Sequence, residues 1–247
     1  MSNLNNLILE KNIKALIFDM DGVITRTSAL HAEAWKKMCD AFLRQRGEQD
    51  GTQYEPFDYI EDYRKYVDGV PRQEAVRAFF ESRGIELPTG TKHDTTEENT
   101  IESLGDLKNF YFQELLKQNG VVVFDDAINW AKEQKEKGMH TAIVSASKNC
   151  PEILKRSGLE RLFEVRVDGL VSNELKLKGK PEPDIFIEAA KRLNVKPEET
   201  AIFEDAWAGI AAAKAGGFAL VVGVDRGSNS ELLEQHGADL VINNFPN

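Results

Sequence analysis

Short apolar runs alternate with helical patterns through the second half of the sequence, and this alternation restricts the fold more than any other feature. The strand-like runs are residues 141–144, 165–167, 201–203, 219–224 and 239–242. Segments with helical periodicity lie between them, at residues 127–137, 151–157, 183–193 and 207–215. Elements in this order form a parallel sheet with helices on both faces. The sequence therefore predicts a doubly wound α/β fold with a Rossmann-like core.

An earlier apolar run, residues 13–18, ends at a pair of acids in the string DMDG, which begins at Asp19. Gly22 lets the chain turn directly after this strand. Ser145 and Asp205 also follow strand-like runs. Because open α/β sheets bind ligands at the carboxyl ends of their strands, we expect these side chains at one edge of the sheet. Alone, the Asp-x-Asp-Gly string is a weak signal, since acidic turns also cap helices or bind calcium.

Residues 28–120 differ from the rest, because they show helical periodicity and no comparable strand. Stripes at helical spacing are Trp35, Met38 and Phe42; Tyr59, Tyr63 and Tyr66; and Leu107, Tyr111 and Leu115. We interpret the stripes as core faces of an inserted α-helical cap. Two polar stretches, 47–55 and 86–99, are predicted to be exposed loops. The predicted domains are a core of residues 1–27 and 121–247 and a helical cap of residues 28–120.

Composition and charge exclude several classes of function. The 247 residues, 41% of them hydrophobic and 29% charged, are typical of a soluble globular protein of one or two domains. A formal charge of −10 argues against a nucleic-acid partner but allows a small anion at a locally positive site. No apolar run is long enough to span a membrane, and the first residues lack the pattern of a secretion signal. We expect a cytoplasmic monomer whose cysteines, Cys39 and Cys150, are reduced.

Four motifs, in order along the chain, resemble those of the haloacid dehalogenase-like phosphotransferases. They are DMDGVIT from Asp19, VSASKN around Ser145, KPEPDIF from Lys180, and IFEDAWAGI around Glu204 and Asp205. The first three also look like the β-phosphoglucomutase branch of that superfamily, and the similarity extends over most of the chain. The resemblance implies a core domain that is interrupted just after the first motif by an α-helical cap.

The residues of these motifs suit phosphoryl transfer, which needs in-line attack, charge neutralisation and a protonated leaving oxygen. Asp19 is the natural nucleophile and would form an aspartyl phosphate. Asp21 would act as the general acid and, in the return step, as the general base. The alternative is that Asp21 only caps the next helix. Ser145 and Lys180 would bind the phosphoryl oxygens, although a lone lysine outside the KPEPD string would be a surface residue.

A carboxylate can approach a phosphate dianion only with a countercharge, which predicts a hard cation such as Mg²⁺. The resemblance gives the protein ligands as Asp19, the backbone carbonyl of Asp21 and Asp205, with Glu204 nearby or acting through water. A Glu-Asp pair often only begins a solvated helix. This pair follows an apolar run, so we expect it to be buried at the site.

A phosphomutase must also hold a second phosphate, away from the reacting one. The residues that match this role in the β-phosphoglucomutase branch are Arg72, Lys108, Asn109, Ser147, Lys148 and Asn149. His31 matches a histidine that couples acid and base chemistry to cap closure, although a histidine beside Trp35 on a helix is commonly a packing residue. The resemblance implies interconversion of β-D-glucose 1-phosphate and glucose 6-phosphate through glucose 1,6-bisphosphate.

Two residues depart from the pattern of that branch. Arg26 stands where an acid or amide is common, and it either adds a cation near the entrance or faces solvent. Ala75 stands where a serine of the cap loop is common, which leaves the identity of the sugar open. Two alternative functions follow: a sugar-phosphate phosphatase that uses the same Asp19 intermediate, and a non-catalytic sugar-phosphate binder.

Overall fold

The computed structural model describes residues 3–95, 98–227 and 229–246. The chain divides into two compact units, one of residues 1–26 and 121–247 and the other of residues 27–120. We call them the core unit and the cap unit. Their boundaries lie within one residue of the predicted domain boundaries. The catalytic and cap roles given to the two domains stay predictions.

The core unit contains a six-stranded sheet in which each neighbouring pair of strands is parallel. The strands are β1 (Ala15–Asp19), β2 (His140–Val144), β3 (Val165–Val167), β4 (Thr200–Glu204), β5 (Leu220–Val224) and β6 (Leu240–Ile242). Their order in the sheet is β3-β2-β1-β4-β5-β6. The predicted doubly wound α/β fold is therefore confirmed. The order reverses between β1 and β4, which is where open α/β sheets bind ligands.

Helices precede, interrupt and cover this sheet. They are α1 (Asn3–Glu10), α2 (Ser28–Asp50), α3 (Arg72–Ser82), α4 (Ile101–Asn119), α5 (Asp125–Glu136), α6 (Cys150–Ser157), α7 (Gly169–Leu175), α8 (Asp184–Arg192), α9 (Trp207–Ala215) and α10 (Ser230–Gln235). The sequence predicted α5, α6, α8 and α9 but not α1, α7 or α10. α7 and α10 have only seven and six residues, and such short helices show about two turns of periodicity.

Both faces of the sheet are buried, as a parallel sheet requires. On one face, Phe18 of β1 stacks on Phe203 of β4 with ring centroids 4.8 Å apart, and Trp130 of α5 packs edge-on against both rings. On the other face, Ile17 belongs to an apolar cluster that includes Phe186 of α8. Polar side chains of the central strand can therefore be presented only at its ends.

The cap unit has its own apolar core, to which α2, α3 and α4 contribute. Trp35 and Met38 of α2, Phe79 of α3 and Leu104 of α4 belong to this one buried cluster. The predicted core position of Tyr59 is wrong, because this residue is 45% exposed. It lies in the turn before a π-helical segment, Tyr63–Val67, and its hydroxyl donates to Glu33 on α2.

The predicted loop at residues 47–55 is wrong in its first half, because α2 continues to Asp50. Gly51 ends the helix with φ at 73°, and its N–H donates to the Gly47 carbonyl. Residues 86–95, 98 and 99 contain no helix or strand, whereas Thr96 and Glu97 of that predicted loop lie outside the described residues.

Two further sequence expectations concern the thiols and the membrane. Cys39 and Cys150 are both buried and free of disulfides, and burial raises the pKa of each thiol. Within the part of the chain that the structure describes, no helix has the length and hydropathy needed to cross a bilayer.

Candidate active site

Polar side chains gather where β1, β2 and β4 end. Asp19 is the last residue of β1, Ser145 follows β2, and Glu204 and Asp205 end and follow β4. The ladder pairs Asp19 with Val144, directly before Ser145. Since all three strands are parallel neighbours, these residues share the carboxyl edge of the sheet at its switch point.

Asp19 is buried, with 5% of its surface exposed, and it is held on both carboxylate oxygens. Oδ1 accepts a hydrogen bond from Lys180 Nζ at 2.5 Å, and Oδ2 accepts one from the Asp21 backbone N–H at 3.0 Å. Burial raises the pKa of Asp19, and the positive charge of Lys180 opposes that rise. The two bonds fix the direction of the carboxylate, which a nucleophile needs for in-line attack.

Lys180 lies before α8, and its side chain extends to the same carboxyl edge of the sheet. It is 3% exposed, and its Nζ donates to Glu204 Oε2 at 2.7 Å as well as to Asp19. Burial lowers the pKa of Lys180, but the two carboxylates outweigh this effect and raise the pKa above its usual value. Lys180 is therefore a buried cation. It does not lie on the surface, where a lone lysine is normally found.

Three carboxylates at this edge form an acid cluster: Asp19, Glu204 and Asp205 each offer an oxygen, and these atoms lie within 4.8 Å of one another. Oxygen donors at this spacing match the ligands that Mg²⁺ prefers. Lys180 neutralises part of the negative charge through its ion pairs with Asp19 and Glu204. The donor set therefore fits a divalent cation, and these three side chains are the ones that would hold it.

Two glycines make room for this acid cluster. A Cβ on Gly22 would lie 1.7 Å from Asp205 Oδ2, and a Cβ on Gly209 would lie 2.1 Å from the carboxyl carbon of Glu204. Gly22 also has φ at +89°, a conformation that L side chains rarely adopt. The glycine of the Asp-x-Asp-Gly string thus serves both the turn and the position of a carboxylate that is 183 residues away.

We expect Gly22→Ala to destabilise the protein and to weaken divalent-cation binding. Positive φ costs an alanine about 1–2 kcal/mol, and crowding against Asp205 adds about 1–3 kcal/mol. Gly138 has the same φ of +89° with open space around its Cα, so Gly138→Ala is a matched control for backbone strain. Urea unfolding measures the free energy of unfolding of both variants. Equal losses in the two would show that the contact with Asp205 has no effect.

Asp21 and Ser145 contact each other across the edge between β1 and β2. Ser145 Oγ donates to Asp21 Oδ2 at 3.1 Å and accepts a hydrogen bond from the Ser147 N–H at 3.0 Å. The residue that precedes the next helix, α2, is Thr27, so Asp21 does not cap that helix. Its carboxylate is half-buried at the site.

The loop from Ser145 to Asn149 is shaped by its own hydroxyls. Ser147 Oγ accepts a hydrogen bond from the Asn149 N–H at 3.1 Å, and Lys148 lies between these two residues. Gly169, at the start of α7, donates its N–H to the Ser147 carbonyl at 3.2 Å. Its missing side chain is required there, since a Cβ would lie 2.5 Å from the Ala146 carbonyl oxygen.

The sequence analysis did not predict α7, although the sequence contains a signal for the start of this helix. Asp168 accepts hydrogen bonds from the Leu170 and Val171 N–H groups, which is the usual N-cap arrangement. An Asp-Gly pair after the short strand-like run at 165–167 therefore marks a helix start.

Within the cap unit, His31 and Lys108 form a buried pair. Lys108 Nζ lies 2.6 Å from His31 Nδ1, and the His31 ring stacks on Phe112 with centroids 4.0 Å apart. Lys108 Nζ also lies 5.3 Å from the ring centroid of Trp35. His31 is therefore packed among aromatic rings, as one alternative held, and it also contacts a residue predicted to bind phosphate.

Arg72 and Asn109 lie elsewhere in the cap unit. Arg72 begins α3, and its Nη2 lies 3.3 Å from Asp106 Oδ1 on α4. Its side chain passes close to Gly105, where a Cβ would lie 3.6 Å from Arg72 Nε, an ordinary contact distance. Asn109 is half-buried on α4, next to Lys108. Asp106 is a partner that the sequence did not reveal, because Arg72 and Asp106 are 34 residues apart.

The two departures from the family pattern have structural outcomes. Arg26 is exposed, and its guanidinium carbon lies 4.5 Å from the ring centroid of Phe124, a cation–π contact. Ala75 is not in a loop: it lies within α3 and is fully buried in the apolar core of the cap unit. The expectation of a loop position for Ala75 is wrong, because α3 begins three residues earlier.

Comparison with known proteins shows the family. The sequence profile of the haloacid dehalogenase-like hydrolases matches residues 13–217, and the chain belongs to that family. A β-phosphoglucomutase of Mycobacterium bovis is 42% identical over 237 residues, which are 95% of this chain and 90% of that enzyme. The predicted membership in the superfamily and its β-phosphoglucomutase branch is confirmed.

Two other relatives extend the comparison. The crystal structure of a β-phosphoglucomutase from Clostridium difficile has a TM-score of 0.71 with this chain at 27% identity, covering 94% of this chain and 91% of its own. A phosphorylated carbohydrates phosphatase of Thermotoga maritima is 31% identical over 93% of this chain and 94% of its own length. The family therefore includes close relatives named for mutase and for phosphatase activity.

Proposed function

We propose that the chain is a Mg²⁺-dependent β-phosphoglucomutase, which interconverts β-D-glucose 1-phosphate and glucose 6-phosphate. The observation that carries phosphoryl transfer is the buried Asp19 carboxylate, oriented by Lys180 Nζ and the Asp21 N–H. The identity of 42% to the M. bovis β-phosphoglucomutase supports the mutase and its phosphorylated sugar substrate. The monomeric state and the cytoplasmic location stay predictions.

In the proposed reaction, an oxygen of Asp19 attacks phosphorus, and the bond from phosphorus to the sugar oxygen breaks. Asp21 gives its proton to that leaving oxygen, which becomes a free hydroxyl. In the return step, Asp21 takes the proton of a different sugar hydroxyl, whose oxygen attacks the aspartyl phosphate. The cycle starts from the aspartyl phosphate: the return step first places its phosphoryl group on O6 of β-glucose 1-phosphate, which gives glucose 1,6-bisphosphate. Attack of Asp19 on the phosphorus at O1 then leaves glucose 6-phosphate and restores the aspartyl phosphate.

The other residues at the core edge neutralise and orient the phosphoryl group. Ser145 Oγ and Lys180 Nζ are donors that can contact phosphoryl oxygens. Asp19, Glu204, Asp205 and the backbone carbonyl of Asp21 would hold Mg²⁺, which when bound neutralises charge on the transferred group. Lys180 meets the incoming phosphoryl group as a cation, because its two carboxylate partners raise its pKa.

The residues proposed for the distal phosphate of the bisphosphate are those that match this role in the β-phosphoglucomutase branch. In the core unit these are Ser147, Lys148 and Asn149, and in the cap unit Arg72, Lys108 and Asn109. Arg72 is suited to a bidentate grip, since its guanidinium presents paired donors. Its present partner, Asp106, has a side chain that is 57% exposed, so their ion pair is weak and a phosphate dianion can replace it. His31 is proposed to couple this binding to catalysis through its contact with Lys108.

A phosphatase is the second candidate, and the T. maritima relative favours it. In that case water, and not a sugar hydroxyl, attacks the aspartyl phosphate. The test supplies β-glucose 1-phosphate, Mg²⁺ and a trace of glucose 1,6-bisphosphate, and follows glucose 6-phosphate and inorganic phosphate. Isomerised product without phosphate release supports the mutase. Stoichiometric phosphate release selects the phosphatase, and binding with neither product selects a non-catalytic binder.

Removing Arg72 should separate mutase from phosphatase chemistry. A hydrogen bond to a charged group is worth about 1.5–3 kcal/mol, so Arg72→Ala should weaken use of the bisphosphate by about 10- to 100-fold. Hydrolysis of acetyl phosphate, which has no distal phosphate, should change little. Steady-state kinetics with both substrates measure the difference.

Arg77 offers the matched control for this variant. It lies one turn further along α3, is exposed, and donates a hydrogen bond to Thr89. Arg77→Ala should leave both reactions unchanged. If Arg72→Ala impairs acetyl phosphate hydrolysis as much as bisphosphate use, Arg72 supports the fold of the cap unit or serves the reacting phosphate, and the proposed distal site is wrong.

A further inference from the structure

The chain after β5 makes a turn whose side chains reach the acidic end of β4. Residues 225–230 lead from β5 into α10, with Ser228 outside the described residues. Within this turn, Asn229 Nδ2 donates a hydrogen bond to the backbone carbonyl of Asp205 at 3.1 Å. This hydrogen bond connects the turn to the main chain of Asp205, a residue of the acid cluster.

Asp225 anchors the turn at the end of β5. It is 8% exposed, and its backbone N–H donates to the Ile242 carbonyl of β6 at 2.8 Å. Its carboxylate accepts hydrogen bonds from the Gly227 and Asn229 N–H groups, at 2.9 and 3.1 Å, and from the N–H and hydroxyl of Ser230. Burial raises the pKa of Asp225, but these bonds outweigh it and lower the pKa. Asp225 therefore holds the backbone of Asn229, and with it the start of the Asn229 side chain.

The main chain of Asp205 lies outside the strand ladders that contain the other two acids of the cluster. Asp19 pairs with Val144 in the ladder to β2, and Glu204 pairs with Gly223 in the ladder to β5. Asp205 follows the last ladder residue of β4. The Asp205 carboxylate lies close to Gly22: a Cβ on Gly22 would be 1.7 Å from Asp205 Oδ2. The Asp205 peptide can therefore take only a narrow range of orientations.

We infer that Asn229 is a positioning residue for divalent-cation binding: it fixes the peptide of Asp205 and thereby the direction of that carboxylate in the acid cluster. Groups that orient metal ligands commonly contribute about 10- to 100-fold to metal affinity. Asn229 acts on the main chain of the ligand and not on its carboxylate, so we expect about 10-fold. This inference rests on the cation site of the proposed function, but not on the choice between mutase and phosphatase.

The test measures Mg²⁺ and Mn²⁺ binding to the metal-free protein by calorimetry, without substrate. Asn229→Ala removes the amide, and Asn229→Leu replaces it with a side chain of similar size that cannot donate. Both should raise the dissociation constant by about 10-fold. Asn173→Ala is the matched control, since Asn173 is exposed on α7, and it should leave the dissociation constant unchanged. Asp205→Ala removes a proposed ligand and should weaken binding more strongly.

Three outcomes would overturn the inference. Unchanged metal binding in both Asn229 variants, with a clear loss in Asp205→Ala, leaves the proposed cation site intact but removes Asn229 from it. A loss in Asn229→Ala that Asn229→Leu restores assigns the effect to packing and not to the hydrogen bond. Unchanged binding in Asp205→Ala shows that the acid cluster is not the cation site, and both proposals are then wrong.

Kinetics separate positioning from a general loss of structure. With a Mg²⁺-supported phosphoryl transfer as the assay, the Asn229 variants should need about 10-fold more Mg²⁺ for half-maximal rate. At saturating Mg²⁺ they should recover the parent kcat and the parent KM for the sugar phosphate. Thermal unfolding of the metal-free variants reports the stability of the turn. A lowered kcat that excess Mg²⁺ does not restore contradicts a role in cation binding.

Discussion

Replacing Asp19 with asparagine should abolish phosphoryl transfer, with turnover falling by roughly 10⁴- to 10⁶-fold, as when other enzymes lose their nucleophile. An amide oxygen does not attack phosphorus at a useful rate, and the amide group also places N–H donors near Lys180 Nζ or the Asp21 N–H, which now donate to this carboxylate. Mass spectrometry of the intact protein after incubation with acetyl phosphate should show a phosphoryl adduct on the parent protein and none on Asp19→Asn.

Asp125→Asn is the matched control, since Asp125 is exposed in the first turn of α5. It should keep both turnover and the phosphoryl adduct. Asp19→Asn should stay folded, because it removes one of three carboxylates that repel one another, and Lys180 keeps Glu204 as a partner at 2.7 Å. A phosphoryl adduct of normal yield on folded Asp19→Asn would remove Asp19 from the mechanism.

The sheet and its polar edge follow from local patterns in the sequence. Each strand is a short apolar run, and the residue type changes abruptly where the strand ends. Asp19, Ser145 and Asp205 could be placed at one edge because a parallel sheet brings the carboxyl ends of its strands together. The prediction needed no knowledge of which strands are neighbours, since all strands point the same way.

Contacts that depend on the meeting of distant segments could not be predicted in this way. His31 and Lys108 are 77 residues apart, and the spacing of aromatic residues on each helix says nothing about which histidine and lysine will meet. The hydrogen bond from Asn229 to the Asp205 carbonyl also needs the tertiary fold, because any Asn in a polar turn has the same local pattern.

The errors of the sequence prediction have a physical cause as well. A glycine usually weakens a helix, so Gly47 marks a loop in the sequence, yet α2 continues through it to Asp50. The local helix end explains the glycine: a Cβ at Gly47 would lie 2.5 Å from the Thr52 carbonyl oxygen, so the chain can turn back after Gly51 only over a glycine.

Asp21→Asn should fold normally and lower turnover of the sugar phosphate by roughly 10²- to 10⁴-fold, the usual contribution of a positioned acid or base. Asparagine can still accept the hydrogen bond that Ser145 Oγ now donates to Asp21 Oδ2 at 3.1 Å, so the local geometry is kept. What is lost is the proton that Asp21 gives to the leaving oxygen. Single-turnover kinetics of phosphoryl transfer from the sugar phosphate measure this loss.

The leaving group then distinguishes an acid from a structural residue. A p-nitrophenolate leaves without a proton, so Asp21→Asn should lose far less activity with p-nitrophenyl phosphate than with glucose 1-phosphate. Ser145→Ala gives the contrast. Ser145 is proposed to contact the phosphoryl oxygens, which both substrates share, so this variant should lose similar activity with p-nitrophenyl phosphate and with glucose 1-phosphate. If Asp21→Asn also loses the same fraction of its activity with both substrates, Asp21 holds the edge of the sheet together and does not transfer the proton.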